Sequence, residues 1–169
     1  MKIRKAVIPA AGLGKRFYPL TRAQPKEMLP VADKPVIHYV VEEAVKSGLD
    51  EILIIVGKGK DAIINYFDRS ELDSGNEDYG LNDLPEIFFV RQKQPKGLAD
   101  AISYAQKFVD DEPFAVLLGD TIYKSESNKT VTSQLIEIYE AKKKQVIAVE
   151  EVPKEKIKDY GIIKGREIE

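Results

Sequence analysis

Five short apolar runs recur along the chain: Ala6-Val7-Ile8, Ile52 to Val56, Ile87-Phe88-Phe89-Val90, Phe114 to Leu118 and Val146-Ile147-Ala148-Val149. Each is continuous and does not alternate with polar residues, the pattern of strands buried on both faces as in a parallel sheet. Between the runs the apolar period changes. Val36, Ile37, Val40, Val41, Ala44 and Val45 repeat at helical spacing, with Asp33 as a candidate cap, Pro35 near the first turn and Gly48 as the stop. Leu98, Ala101, Ile102 and Ala105 form a second helical stripe, and Val131, Leu135, Ile138 and Tyr139 a third. Strand and helix in alternation predict a doubly wound, three-layer α/β/α fold with a mostly parallel sheet.

Residues 70–85 interrupt this rhythm with Asp, Asn, Gly and Ser, and are predicted to be a loop excursion at the domain edge and a candidate oligomer contact. The tail from Tyr160-Gly161-Ile162-Ile163 to Glu169 starts what reads as a further strand and stops. The expectation is one domain over 1–169, truncated at its C-terminal side. A length of 169 residues with 43% apolar and 32% charged residues is that of a soluble globular chain with a real core. No apolar run approaches the ~20 residues a bilayer span needs, and MKIRKAVIPAAG reads as a first strand, not a signal peptide, so a cytoplasmic location and no membrane partner are expected.

Composition narrows the chemistry. Cysteine is absent and His38 is the only histidine, which excludes disulfides, thiolate sites, a multi-histidine metal site and a cysteine nucleophile. Lys, Arg, Asp, Glu and backbone amides remain. The overall charge of −2 conceals an asymmetry, because residues 1–34 carry eight cations against only Glu27 and Asp33. A local positive field favours an anionic ligand. The run Lys142-Lys143-Lys144 reads as a helix C-terminus and not a nucleic-acid patch. His38 reads as a helix-face residue, and Glu42 and Glu43 as solvated or ion-paired.

Ala10-Ala11-Gly12-Leu13-Gly14-Lys15-Arg16 follows the first strand. It places two glycines and two cations at the carboxyl end of a strand, where open α/β sheets bind ligands. Glycine lets the main chain approach phosphate oxygens, and Lys15 and Arg16 supply charge. Two familiar loops fail here. The dinucleotide fingerprint requires Gly or Ala where Phe17 stands, and the Walker loop requires Gly at Pro9 and Ser or Thr at Arg16. What remains is a nucleotide-phosphate loop leading into a proline-bearing segment, Phe17 to Pro30, predicted to be extended, with Lys26 at its rigid centre.

The run AAGLGKRFYPLTRAQPKEMLPVADKPVIHYVVEEAVKSG resembles the N-terminal motif of sugar-1-phosphate nucleotidyltransferases, and RQKQPKGLADAI, PFAVLLGD and YGII match in order after it. PKEMLP with DKPVIHYVVEEAV is similar to the bacterial and archaeal uridylyltransferases of that family, while YPLTRA and GLADAI are similar to its glucose-1-phosphate thymidylyltransferases. The resemblance implies a Rossmann-like nucleotidyltransferase domain. It also implies transfer of a uridylyl group from UTP to glucose 1-phosphate, giving UDP-glucose and pyrophosphate, with dTTP or a binding module without catalysis as alternatives. Mg²⁺ is the implied cofactor, and assembly into a homo-oligomer is a family tendency. Family members continue for roughly a hundred further residues that supply a second metal-binding aspartate and most of the sugar site.

By the same resemblance, Ala10, Ala11 and Gly12 contact the nucleoside, Gly14 and Arg16 cradle the leaving phosphates, and Lys26 stabilises charge at the reacting phosphate. Asp120, at the end of a buried strand, is the implied metal ligand, an oxygen donor suited to Mg²⁺. Gln92 and Gly97 are implied to read the pyrimidine, and Gly161 to touch the sugar. Lys26, Asp120, Gln92 with Gly97, and Gly161 have plainer alternatives: a surface lysine, a turn-capping aspartate, a polar loop after the third strand and an ordinary strand glycine.

Overall fold

A computed structural model describes residues 2–68 and 84–165. Its four-stranded sheet is parallel throughout, in the order β5-β4-β1-β6, from β1 (Lys5–Ala10), β4 (Glu51–Val56), β5 (Ile87–Arg91) and β6 (Phe114–Val116). A small antiparallel hairpin joins β2 (Pro30–Val31) to β3 (Lys34–Pro35). The helices are α1 (Val36–Lys46), α2 (Asp61–Phe67), α3 (Leu98–Ser103), α4 (Gln106–Val109) and α5 (Val131–Lys142).

Side chains alternate across the sheet, and both faces are covered at β1 and β4, whereas on the edge strands β5 and β6, expected to be buried on both faces, Phe88 and Val116 stay exposed. Ala6, Ile8, Ile52, Ile54 and Val56 pack with Ile37, Val40, Val41 and Ala44 of α1 and Ile63 of α2. Val7, Leu53 and Ile55 face the other way, onto Ala101 of α3, Ala105 at the N-cap of α4 and Val109 of α4. Continuous apolar runs in β1 and β4 follow from this double burial, each large side chain contributing about 1.5–3 kcal/mol. The predicted three-layer α/β/α arrangement is the one observed, with a mostly parallel sheet.

Several local expectations are corrected. Val146–Val149 forms no strand, and Ile147 and Val149 are 64% and 72% exposed. An apolar run becomes a strand only with a ladder partner, and among the described residues β6 pairs with β1 alone. Val146 to Ala148 instead line a cavity of about 670 Å³ with Phe114 to Leu117, Leu135 and Tyr139. The predicted tail strand at Tyr160 to Ile163 is likewise irregular, after a 3-10 helix at Lys154–Asp159. Phe17 to Pro30 is not extended; it contributes to a string of three 3-10 turns at Lys15–Phe17, Leu20–Arg22 and Lys26–Met28. Pro35, not Asp33, occupies the N-cap of α1. The second helical stripe divides into α3 and α4. The loop predicted at 70–85 lies outside the described residues except for its last two.

Gly48, at φ 80°, follows α1 as predicted, and its amide donates to the Val45 carbonyl at 2.9 Å. Glu43 is not merely solvated. It accepts from the Thr132 amide at 2.9 Å, while Thr130 caps the same end of α5 through the Ser133 amide at 3.0 Å. Among the described residues no helix is long and apolar enough to cross a membrane.

His38 is wholly buried, so it is a core histidine. Its Nε2 lies 2.8 Å from Glu42 Oε1 and its Nδ1 2.9 Å from the Tyr66 hydroxyl. A carboxylate only accepts, so Nε2 carries the proton and Nδ1 accepts from Tyr66. Burial pushes the Glu42 carboxyl up, but hydrogen bonds from Lys34 and Lys46, each 2.6 Å, and from His38 outweigh it and hold the group at about 2. The folded state therefore binds this proton less tightly than the unfolded chain. The resulting stabilisation, on the order of 3 kcal/mol, is present above pH 4.5 and is lost as pH falls toward about 2. Glu42→Gln is expected to cost about that much at pH 7 and almost nothing at pH 2 in urea titrations. A gap independent of pH would assign the loss to packing.

Candidate functional site

The chain runs from β1 through β4 to β5 on one side, then returns to place β6 on the other side of β1. That reversal opens a crevice at the carboxyl ends of β1 and β6. Past β6 the chain stays beside β1, with the Leu117 amide bonded to the Val7 carbonyl at 3.1 Å and the Gly119 amide to the Pro9 carbonyl at 3.3 Å. Gly119 permits this approach, since a Cβ there would lie 3.1 Å from the Pro9 oxygen. Asp120 is thereby delivered to the crevice.

Lys26 reaches the same point from the third 3-10 turn. Its Nζ pairs with Asp120 Oδ2, and it lies over Gly12, where an added Cβ would stand 3.7 Å from Nζ. Gly12, Lys26 and Asp120 are thus brought together, with Lys26 and Asp120 keeping 21% and 36% of their side-chain surface open to solvent. Gly14 turns the loop at φ 63°, and its carbonyl accepts from Thr21 Oγ1 at 2.8 Å. Arg16 is exposed on the following turn and makes no hydrogen bond or ion pair among the described residues.

Ala10 and Ala11 are buried at the end of β1. Gly57, just after β4, lies so close that its Cβ would fall 2.9 Å from the Ala11 carbonyl oxygen. Gln92, just after β5, bonds its amide to the Val56 carbonyl at 2.9 Å, and its side chain donates from Nε2 to Asp100 Oδ2 at 2.6 Å. Gly97, at φ 103°, opens α3. The sequence positions therefore fall along one rim, across three strand spacings or about 14 Å, from Gln92 at β5 to Asp120 beyond β6. Gly161 does not join them: it is exposed, with nothing within 4 Å of a Cβ added there.

Beneath the rim lies an ion pair that sequence reasoning missed. Glu27 is 1% exposed, and Lys60, at the N-cap of α2, donates to its Oε2 at 2.6 Å. Burial pushes the Glu27 carboxyl up from its ordinary value, against the hydrogen bond and charge of Lys60. The pair ties the turn carrying Lys26 to the loop after β4. Thirty-three residues separate the partners, and no spacing rule links them. Asp100 and Thr21 were missed for the same reason.

Residues 5–168 match the nucleotidyl transferase family. The chain belongs to that family. Among its relatives, UTP–glucose-1-phosphate uridylyltransferase 2 of Staphylococcus saprophyticus is 51% identical over 96% of this chain and 59% of that protein. The UTP–glucose-1-phosphate uridylyltransferase of Bacillus subtilis is 49% identical over the same shares. The crystal structure of a UDP-glucose pyrophosphorylase complexed with UDP-glucose superposes with a TM-score of 0.90 at 39% identity, covering 99% of this chain and 64% of that one. The chain thus spans about three fifths of the length of these nucleotidyl transferases.

Proposed function

We propose that this chain carries the nucleotide-binding and phosphoryl-activating part of a UTP:glucose-1-phosphate uridylyltransferase. In that reaction a phosphate oxygen of glucose 1-phosphate attacks the α-phosphorus of UTP. The bond from that phosphorus to the bridging oxygen breaks, and pyrophosphate leaves. The nucleophile arrives ionised, so charge neutralisation and in-line positioning carry the catalysis, and no general base is needed. The observation that carries this reading is the meeting of Lys26 and Asp120 over Gly12 at the switch point of the sheet.

In this reading the amides of Ala10, Ala11 and Gly12 line the nucleoside and α-phosphate, Gly14 and Arg16 hold the leaving phosphates, and Lys26 neutralises charge at the phosphorus under attack. Gln92 and Gly97 face the pyrimidine at the far end of the rim. Gly161 is the proposed sugar contact, and it would have to approach the rim when substrate binds. Asp120 is the residue that would hold Mg²⁺. Among the described residues no group of three or more His, Cys, Asp or Glu could cage a metal. One carboxylate suits an ion that takes its remaining ligands from phosphates and water, so the donor set fits. The ion would supply charge neutralisation on the triphosphate.

Calorimetric titration with UTP, dTTP, ATP and GTP, with and without Mg²⁺, tests the assignment together with pyrophosphate release on adding glucose 1-phosphate. The expected result is Mg²⁺-strengthened binding of UTP ahead of the purine nucleotides, with pyrophosphate formed. A preference for dTTP would move the assignment to the thymidylyltransferases. UTP binding without pyrophosphate formation would make the chain a binding module, and tighter binding of ATP or GTP would overturn the reading.

A further inference from the structure

We infer that Asp100 is the residue that sets which pyrimidine the rim accepts, by locking the side-chain amide of Gln92 in one orientation. The inference rests on the reading of Gln92 as the base-facing residue and deepens it. Gln92 is only 4% exposed and its backbone is fixed to β4 through the Val56 carbonyl. Asp100 stands in the first turn of α3, with its Oδ2 2.6 Å from Gln92 Nε2. The next residue, Lys93, bonds its amide to the Tyr104 hydroxyl at 3.4 Å, so the strand end is also tied to the segment between α3 and α4.

A primary amide has two faces of opposite character: NH₂ donates and oxygen accepts. A carboxylate can only accept, so the nitrogen must be the atom turned toward Asp100. Gln92 Oε1 is then committed as an acceptor; among the described residues none donates to it, and since no buried side-chain oxygen lacks a partner it is open to whatever fills the rim. An acceptor in that place matches the N3–H of uracil or thymine. It opposes the bare N3 of cytosine, where two acceptors would meet and neither would be satisfied. An unsatisfied buried pair of this kind separates the two bases by about 10- to 100-fold in affinity. Asp100 is a positioning residue in this scheme, acting through Gln92 and not on the nucleotide itself.

Asn at position 100 keeps the shape but can donate or accept, so Gln92 is free to turn over. The test is the ratio of UTP to CTP dissociation constants for the unaltered chain, Asp100→Asn and Asp100→Ala, with thermal unfolding of each recorded alongside. The unaltered chain is expected to favour UTP by about 10- to 100-fold, and Asp100→Asn to bring the ratio to within a few-fold of unity, mainly by tightening CTP. Asp100→Ala should also relax the ratio. If the unaltered chain prefers UTP and both variants keep the preference, the inference fails while the uridylyl reading stands. Equal affinity for UTP and CTP in the unaltered chain overturns both. Loss of all nucleotide binding in both variants also overturns the inference, because the clamp selects the base and does not hold the triphosphate.

Discussion

Lys26→Ala is expected to lower UTP-dependent pyrophosphate release by about 10²- to 10³-fold, the usual cost of deleting one group aimed at charge in a transition state. The same change should leave stability within about 1 kcal/mol, because the Lys26–Asp120 pair is part-exposed and such pairs contribute little to folding. A large functional loss with a small structural one is the signature of a residue kept for chemistry. Lys26→Arg is not expected to restore the rate: the space over Gly12 is filled by a single ammonium, and the planar guanidinium is broader and differently hydrated. The calorimetric affinity for UTP separates two origins of the loss. Unchanged affinity with a lower rate places Lys26 on charge that develops during transfer, and a parallel fall in both places it on ground-state phosphate binding. Release undiminished in Lys26→Ala would remove the residue from the mechanism and with it the core of the functional reading.

Much of this arrangement was legible in the chain because burial on both faces leaves an unmistakable pattern. Ile52 to Val56 has no polar interruption, and only a strand covered by helices on both sides can afford that. Once the sheet is known to be parallel, residues following its strands must gather at one end, so Gly12, Gln92 and Asp120 converge without any knowledge of side-chain contacts. Legibility stopped where structure depends on a partner distant in sequence. Val146–Val149 has the composition of a strand but, among the described residues, no ladder beside it, and residue preference cannot supply one. The seven residues of α2 were too few to display a helical period, although Ile63 is fully buried against the sheet. Prolines argued correctly against an α-helix between Phe17 and Pro30, yet they are equally compatible with the short 3-10 turns that aim Lys26. The orientation of the Gln92 amide could not be read at all, since it is dictated by a carboxylate eight positions away on another element.

The buried pair under the rim gives the second large effect. Lys60→Met is expected to destabilise the fold by about 3–5 kcal/mol near pH 8, because it leaves the Glu27 carboxylate enclosed with no cation bonded to it. Burial already raises the Glu27 carboxyl above its ordinary value, and without Lys60 it rises further. A carboxyl whose folded-state value is raised favours the folded form at low pH and ceases to do so as pH climbs through that value. The penalty of Lys60→Met should therefore shrink on acidification, as Glu27 takes up a proton and becomes neutral. Denaturant titrations at pH 5 and pH 8 would show it. The double variant Glu27→Met, Lys60→Met is expected to recover most of the loss, since apolar residues of similar volume remove both desolvated charges at once. Equal losses in the single and double variants, with no dependence on pH, would mean that Lys60 matters for the shape of its four-carbon stem beside α2 and not for its charge.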